Sequence, residues 1–148
     1  MAFDLNKCVN YISSTKTKTI SEIFGEWLKD HDITRIQWIA LYFIYTNKKL
    51  SQRELSKLMY INDSSVMRLI DRLERDGLVT RVKSQNDRRK FNLILTKAGN
   101  NKIVKLLHFG EDFNSVLTAG ISQEDLETFQ KVQNKMYENV INSKKPCE

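Results

Sequence analysis

Along this chain apolar residues recur at steps of three and four far more often than they alternate, and no proline occurs before Pro146, so a mostly helical fold is expected. Leu5, Val9, Ile12, Ile20, Ile23, Trp27 and Leu28 mark one long first helix, with a polar, β-branched weak point at residues 15–19. The segment Asp30-His31-Asp32-Ile33 breaks it. Thr34, followed three residues on by Gln37, has the form of a capping box and opens an aromatic-rich helix over residues 35–46. Ser51 with Glu54 repeats that form at the start of a short helix, whose inward face is read as Leu55, Leu58 and Met59. After a turn at Ile61-Asn62-Asp63, a helix over residues 64–76 carries one apolar stripe, Val66, Leu69, Ile70 and Leu73. Its opposite face bears Ser64, Ser65, Met67, Arg68 and Arg72. Gly77 stands where a left-handed residue ends a helix.

A short helix, a tight turn and a second amphipathic helix form a helix-turn-helix pattern. Two β-prone runs follow, residues 78–82 and 91–95, joined by a polar stretch rich in basic residues. This is a hairpin with a charged tip, a wing beside the helix-turn-helix. Thr96 can cap the next helix, whose apolar face is read as Ile103, Val104, Leu107, Phe113, Val116 and Leu117. Ser122 with Asp125 opens a last helix, and Leu126, Phe129, Val132, Met136 and Val140 form a heptad-like seam along it. These faces are too extended for the small central module to cover, and association with a second copy would bury them. The expected fold class is therefore mainly α with a small β-hairpin wing. A winged helix-turn-helix region, residues 33–96, is combined with a helical dimerisation region formed by residues 1–32 and 97–148.

Charge sharpens this picture. The chain has 148 residues and a net charge of +6, but residues 48–97 alone carry +7 and the remainder nets −1. A basic centre on a near-neutral scaffold points to a polyanionic partner. The longest uninterrupted apolar run, residues 38–45, is too short to span a bilayer. Residues 1–7 lack the pattern of a secretory signal, so a cytoplasmic protein with no membrane partner is expected. Cys8 and Cys147 lie at opposite ends of the sequence without a CxxC spacing, and neither a metal site nor a cofactor is expected. His31 and His108 are the only histidines, and no phosphate-binding loop or nucleophile arrangement accompanies them, so no enzyme is expected.

Four segments carry a resemblance. They are Ile33-Thr34-Arg35-Ile36-Gln37-Trp38-Ile39-Ala40-Leu41, then Ser51-Gln52-Arg53-Glu54-Leu55-Ser56, then Asp71-Arg72-Leu73-Glu74-Arg75-Asp76-Gly77-Leu78-Val79-Thr80-Arg81, and finally Asp87-Arg88-Arg89 with Leu93, Leu95-Thr96 and Gly99. In order and spacing they resemble the MarR family of transcriptional regulators. The resemblance implies a homodimeric winged helix, most often a repressor, that binds a pseudo-palindromic operator in double-stranded DNA and is released by a small-molecule or oxidant signal. Ser64, Ser65, Arg68 and Arg72 would then face the major groove, with Arg68 the base contact. Arg89 would enter the minor groove, held by Asp87, while Lys83, Arg88 and Lys90 add charge. Ser51 and Gln52, at a helix N-terminus, would meet phosphate. Arg75 and Arg81 are read instead as ion-pair partners of Asp71, Asp76 or the outer helices.

The resemblance also implies a signal site between the dimer helices and the winged helix. Trp27, His31, Trp38, Tyr42 and Tyr45 are near enough in sequence to line it, and an aromatic cluster at this spacing also serves as core. Cys8 is a redox candidate, because the organic hydroperoxide regulators of this family use a cysteine in the first helix. Here Cys8 falls slightly early, and Phe24 and Arg35 stand where those sensors place tyrosines. A bridge from Cys8 to Cys147 of a second subunit is a further expectation. The alternative to a specific regulator is a winged helix that binds nucleic-acid backbone without sequence preference, or one that works through protein contacts. Salt dependence and sequence preference separate these readings.

Overall fold

The computed structural model describes residues 3–84 and 91–143. The chain divides into two compact units, Met1–Glu111 and Asp112–Glu148. In the first unit, helix α1 (Val9–Leu28) follows a 3-10 turn at Leu5–Lys7 and ends in another at Lys29–His31. Helix α2 (Arg35–Asn47), strand β1 (Leu50–Ser51), helix α3 (Gln52–Met59), helix α4 (Asp63–Arg75) and strands β2 (Val79–Lys83) and β3 (Phe91–Leu95) follow. Helix α5 (Lys97–Thr118) begins in the first unit and ends in the second, which also holds helix α6 (Gln123–Asn142).

The helix starts obey local hydrogen-bond chemistry. At α2 the Thr34 hydroxyl accepts from the Gln37 N–H (3.3 Å), and the Gln37 side-chain Oε1 accepts from the Thr34 N–H (2.9 Å). At α3 the pair Ser51 and Glu54 does the same, at 3.2 and 2.8 Å. Each box satisfies two donors that a helix N-terminus otherwise leaves open. Helix α1 is a single element as expected and runs through residues 15–19, where the Ser14 and Thr15 hydroxyls donate to the Tyr11 carbonyl (3.2 and 2.5 Å).

The wing is larger than a hairpin. β3 pairs antiparallel with β2, Val79 opposite Leu95 and Lys83 opposite Phe91, and on its other edge with β1, Leu50 opposite Leu93. The order is thus β1-β3-β2. β1 has two residues, too few for any alternation to show in the sequence. Strand β2 also starts one residue later than expected.

The core of the first unit is apolar and continuous in type. Leu28, Leu41, Ile44, Leu55, Val66, Ile70, Leu73, Val79, Leu93 and Ile103 are buried. The α4 stripe is buried as read from its spacing, whereas the α3 face needs correction. On α3, Leu58 is 39% exposed and Ser56 takes the inward position beside Leu55. On α5 the buried positions are Gly99, Ile103 and Leu106, while Val104, Val116 and Leu117 are exposed. In the second unit, α6 has no buried residue, and Phe129, Val132, Tyr137, Val140 and Ile141 all stand in solvent.

Candidate nucleic-acid interface

The helix-turn-helix is built from α3, a turn and α4. α3 ends at Tyr60, held at φ 53° in the left-handed region, where its N–H reaches the Lys57 carbonyl (3.3 Å). Asn62 then caps α4: its side-chain oxygen accepts from the Ser65 N–H and from the Ser64 hydroxyl, both at 2.8 Å. The buried Ser56 hydroxyl of α3 donates to the Asp63 carboxylate in the first turn of α4. Gln52 adds a second tie, its side-chain amide donating to the Asp63 carbonyl (3.5 Å). The start of α4 is therefore fixed to α3 from two sides.

With Val66, Leu69, Ile70 and Leu73 turned inward, α4 presents Ser64, Met67, Arg68 and Arg72 to solvent, and Ser65 is half-buried. Arg68 Nη2 lies 3.4 Å from the Ser65 hydroxyl, a weak contact that leaves most of its fork open. Neither Arg68 nor Arg72 has a carboxylate partner among the described residues. They border a shallow groove of about 200 Å³ with Ile36, Ile61, Ser65 and Leu69. A larger groove of about 760 Å³ lies between α3 and the sheet, lined in part by Ser51, Gln52, Arg53, Lys57, Arg81 and Ser84. Arg53 and Lys57 were not singled out from the sequence; one helical turn apart on a polar face, they give no signal beyond charge. Ser51 is committed to its capping box, so the helix N-terminus and Gln52 carry what anion affinity that end has. Lys83 is exposed at the end of β2. The wing-tip candidates Asp87, Arg88, Arg89 and Lys90 lie outside the described residues.

Arg81 forms the ion pair expected of it, with one partner more than anticipated. Nη2 donates to Asp71 Oδ1 (2.6 Å), Nη1 to Glu74 Oε2, and the Arg81 backbone N–H to Glu74 Oε1 (3.2 Å). Burial alone would lower the Arg81 pKa; the Asp71 hydrogen bond and the charges of Glu74 and Asp71 outweigh it, and the net shift is upward. Arg75 lies 4.0 Å from Asp76.

The signal-site candidates Trp27, Trp38, Tyr42 and Tyr45 lie on α1 and α2. Trp38 meets Phe24 edge-on (ring centroids 5.2 Å) and stacks on Tyr42 (5.7 Å), and its indole N–H donates to the Leu106 carbonyl (3.0 Å). A side chain at Gly110 would collide with that indole at 2.7 Å. Trp27 and Tyr45 are half-buried. His31 sits apart, against Phe109 (4.8 Å), and borders a cavity of about 270 Å³ with Lys102, Lys105, Leu106 and His108. Of the five aromatic candidates, His31 lines that cavity. Cys8 is a half-buried free thiol at the N-cap of α1, and Cys147 lies outside the described residues. Among the described residues no group of three or more His, Cys, Asp and Glu could hold a metal, and no helix is long and apolar enough to cross a membrane.

Comparison with known proteins agrees with this geometry. Residues 31–90 match the model of the MarR family. The uncharacterized HTH-type transcriptional regulator YybA of Bacillus subtilis (strain 168) is 26% identical over 123 residues, which are 83% of this chain and 82% of that one. The structure of the S. aureus MepR–DNA complex superposes with a TM-score of 0.81 at 22% identity, covering 89% of this chain and 98% of MepR. That of Bordetella bronchiseptica BpsR, solved for the regulation of its DNA binding by 6-hydroxynicotinic acid, reaches 0.83 at 20% identity, covering 93% and 98%. These two likenesses establish the fold. The matched stretch, residues 31–90, covers the helix-turn-helix, and there the chain is similar to the MarR family of transcriptional regulators.

Proposed function

We propose that this protein is a homodimeric, sequence-specific DNA-binding repressor that recognises a pseudo-palindromic operator and is released by a small molecule. One observation carries the DNA-binding part. α4 buries its whole apolar stripe and leaves Ser64, Arg68 and Arg72 on the outside of the helix-turn-helix, unpaired with any carboxylate among the described residues. Such a helix, about 10–12 Å across with its side chains, suits the major groove, where arginine pairs bidentately with guanine. The groove bordered by Gln52, Arg53, Lys57 and Ser84 would take the phosphates beside it. MepR, a structural neighbour, is seen bound to DNA. A protein with this partner works in the cytoplasm.

The helical dimerisation region, residues 1–32 with 97–148, would be covered by a second copy. Val9, Tyr11 and Ile12 on α1 and Phe129, Val132 and Val140 on α6 are all exposed in the isolated chain. For the releasing signal, the regulation of BpsR by 6-hydroxynicotinic acid favours a small molecule over an oxidant at Cys8. A titration of random-sequence duplex at rising salt tests the central reading. Affinity that falls steeply and linearly on log–log axes supports DNA binding, and no binding at about 50 mM salt contradicts it.

A further inference from the structure

Asp71 and Glu74 place two carboxylates on α4, the helix whose Arg68 and Arg72 are proposed to meet DNA. Negative charge beside a phosphate backbone opposes binding, so the structure must account for both. They share one partner. Arg81 of β2 gives its fork to both carboxylates and its backbone N–H to Glu74, and its side chain is only 25% exposed. Arg81 nevertheless borders the groove formed with Gln52, Arg53, Lys57 and Ser84, where phosphates are proposed to lie.

We infer that Asp71 and Glu74 hold Arg81 off the DNA backbone, and that withholding this cation keeps the sequence-independent affinity for DNA low. The inference rests on the DNA-binding reading and deepens it. A phosphate contact strengthens binding to every sequence alike. A free arginine at this edge of the groove would therefore raise affinity for random and selected duplex together. The three side chains together carry one negative charge, and neutralising both acids reverses it to one positive charge within reach of the same groove. Arginine suits the clamp because its planar fork serves two acceptors at once, which a lysine ammonium on a flexible stem does not do with the same geometry.

The test compares wild type, an Asp71→Asn/Glu74→Gln double variant and Arg81→Gln, titrated between about 50 and 200 mM salt. Each is titrated with random duplex and with the best duplex selected from a random pool. The double variant is expected to bind random duplex roughly 3–10-fold tighter, with a log–log salt slope steeper by about 0.9, one additional phosphate. Its affinity for the selected duplex is expected to rise by the same factor. Arg81→Gln is expected to leave the slope unchanged, because the wild-type arginine makes no phosphate contact. If the double variant shows the wild-type slope and random-duplex affinity, the inference is overturned and the trio only ties β2 to α4. A slope shallower by about 0.9 in Arg81→Gln overturns it as well, since Arg81 would already be a phosphate contact. Should thermal melting show the double variant unfolded, Asp71→Asn alone, which frees Nη2 while Glu74 keeps Nη1, carries the comparison with a smaller tightening on random duplex expected, and wild-type affinity for it overturns the inference. Wild-type protein that binds no duplex overturns the DNA-binding reading and this inference together, whereas failure of the variants alone removes only the inference.

Discussion

Ser56 and Asp63 are joined across the helix-turn-helix, the buried hydroxyl of α3 donating to the carboxylate at the first turn of α4. The same carboxylate stands at the positive end of the α4 dipole, so the bond and the dipole favour one geometry. Ser56→Ala removes the donor and leaves an alanine that fits the space. The expected cost is about 1–3 kcal/mol in urea denaturation, since a hydrogen bond to a charged group is lost. A midpoint and slope equal to wild type would show that this bond does not hold the turn.

Gly99 has no freedom to vary. A Cβ there would stand 1.9 Å from the Leu78 carbonyl oxygen, a backbone atom that cannot swing aside. Nearby, Thr96 donates to the Gly77 carbonyl (2.6 Å) and accepts from the Gly99 N–H (3.0 Å), closing the corner between α4, the wing and α5. Gly99→Ala is expected to destabilise by about 1–3 kcal/mol or more, the range of overpacked sites. Thermal melting measures this, and an unchanged melting temperature would contradict the corner as described.

What the sequence made legible follows from how local each signal is. The boxes at Thr34–Gln37 and Ser51–Glu54 need partners only three residues apart, and both formed. The α4 stripe needs only a helical period. β1 escaped notice because two residues carry no period, and Glu74 was missed as a partner of Arg81 because that contact depends on how β2 returns across α4. Leu58 was read as inward because spacing cannot show that Ser56 turns in to reach Asp63. The cavity beside His31 draws its other walls from α5, some seventy residues away, and no short-range pattern in the sequence reports it.

Dimerisation through α6 is tested at its exposed seam. Phe129 is 56% exposed in the isolated chain, and Val132 lies one turn further on. Phe129→Glu is expected to shift the protein to monomer in sedimentation equilibrium at micromolar concentration, because a charge buried in an apolar interface costs several kcal/mol. Far-UV circular dichroism should stay close to wild type, since no α6 residue is buried within the chain itself. A variant that remains dimeric would place the interface elsewhere.

Arg68 is expected to read a base. Arg68→Ala should lower affinity for the best duplex by about 1–3 kcal/mol and relax preference at one base position per half-site. Equal losses on every duplex tested would reassign it to phosphate.

The most direct test of the account is selection of bound sequences from a random duplex pool at near-physiological salt. The account predicts an enriched inverted repeat with half-site centres about one helical turn apart, roughly 34–36 Å, preferred over random duplex by a factor on the order of 10³ or more. Binding without an enriched motif would contradict it, and the roles given to Ser64, Ser65, Arg68 and Arg72 would fall with it.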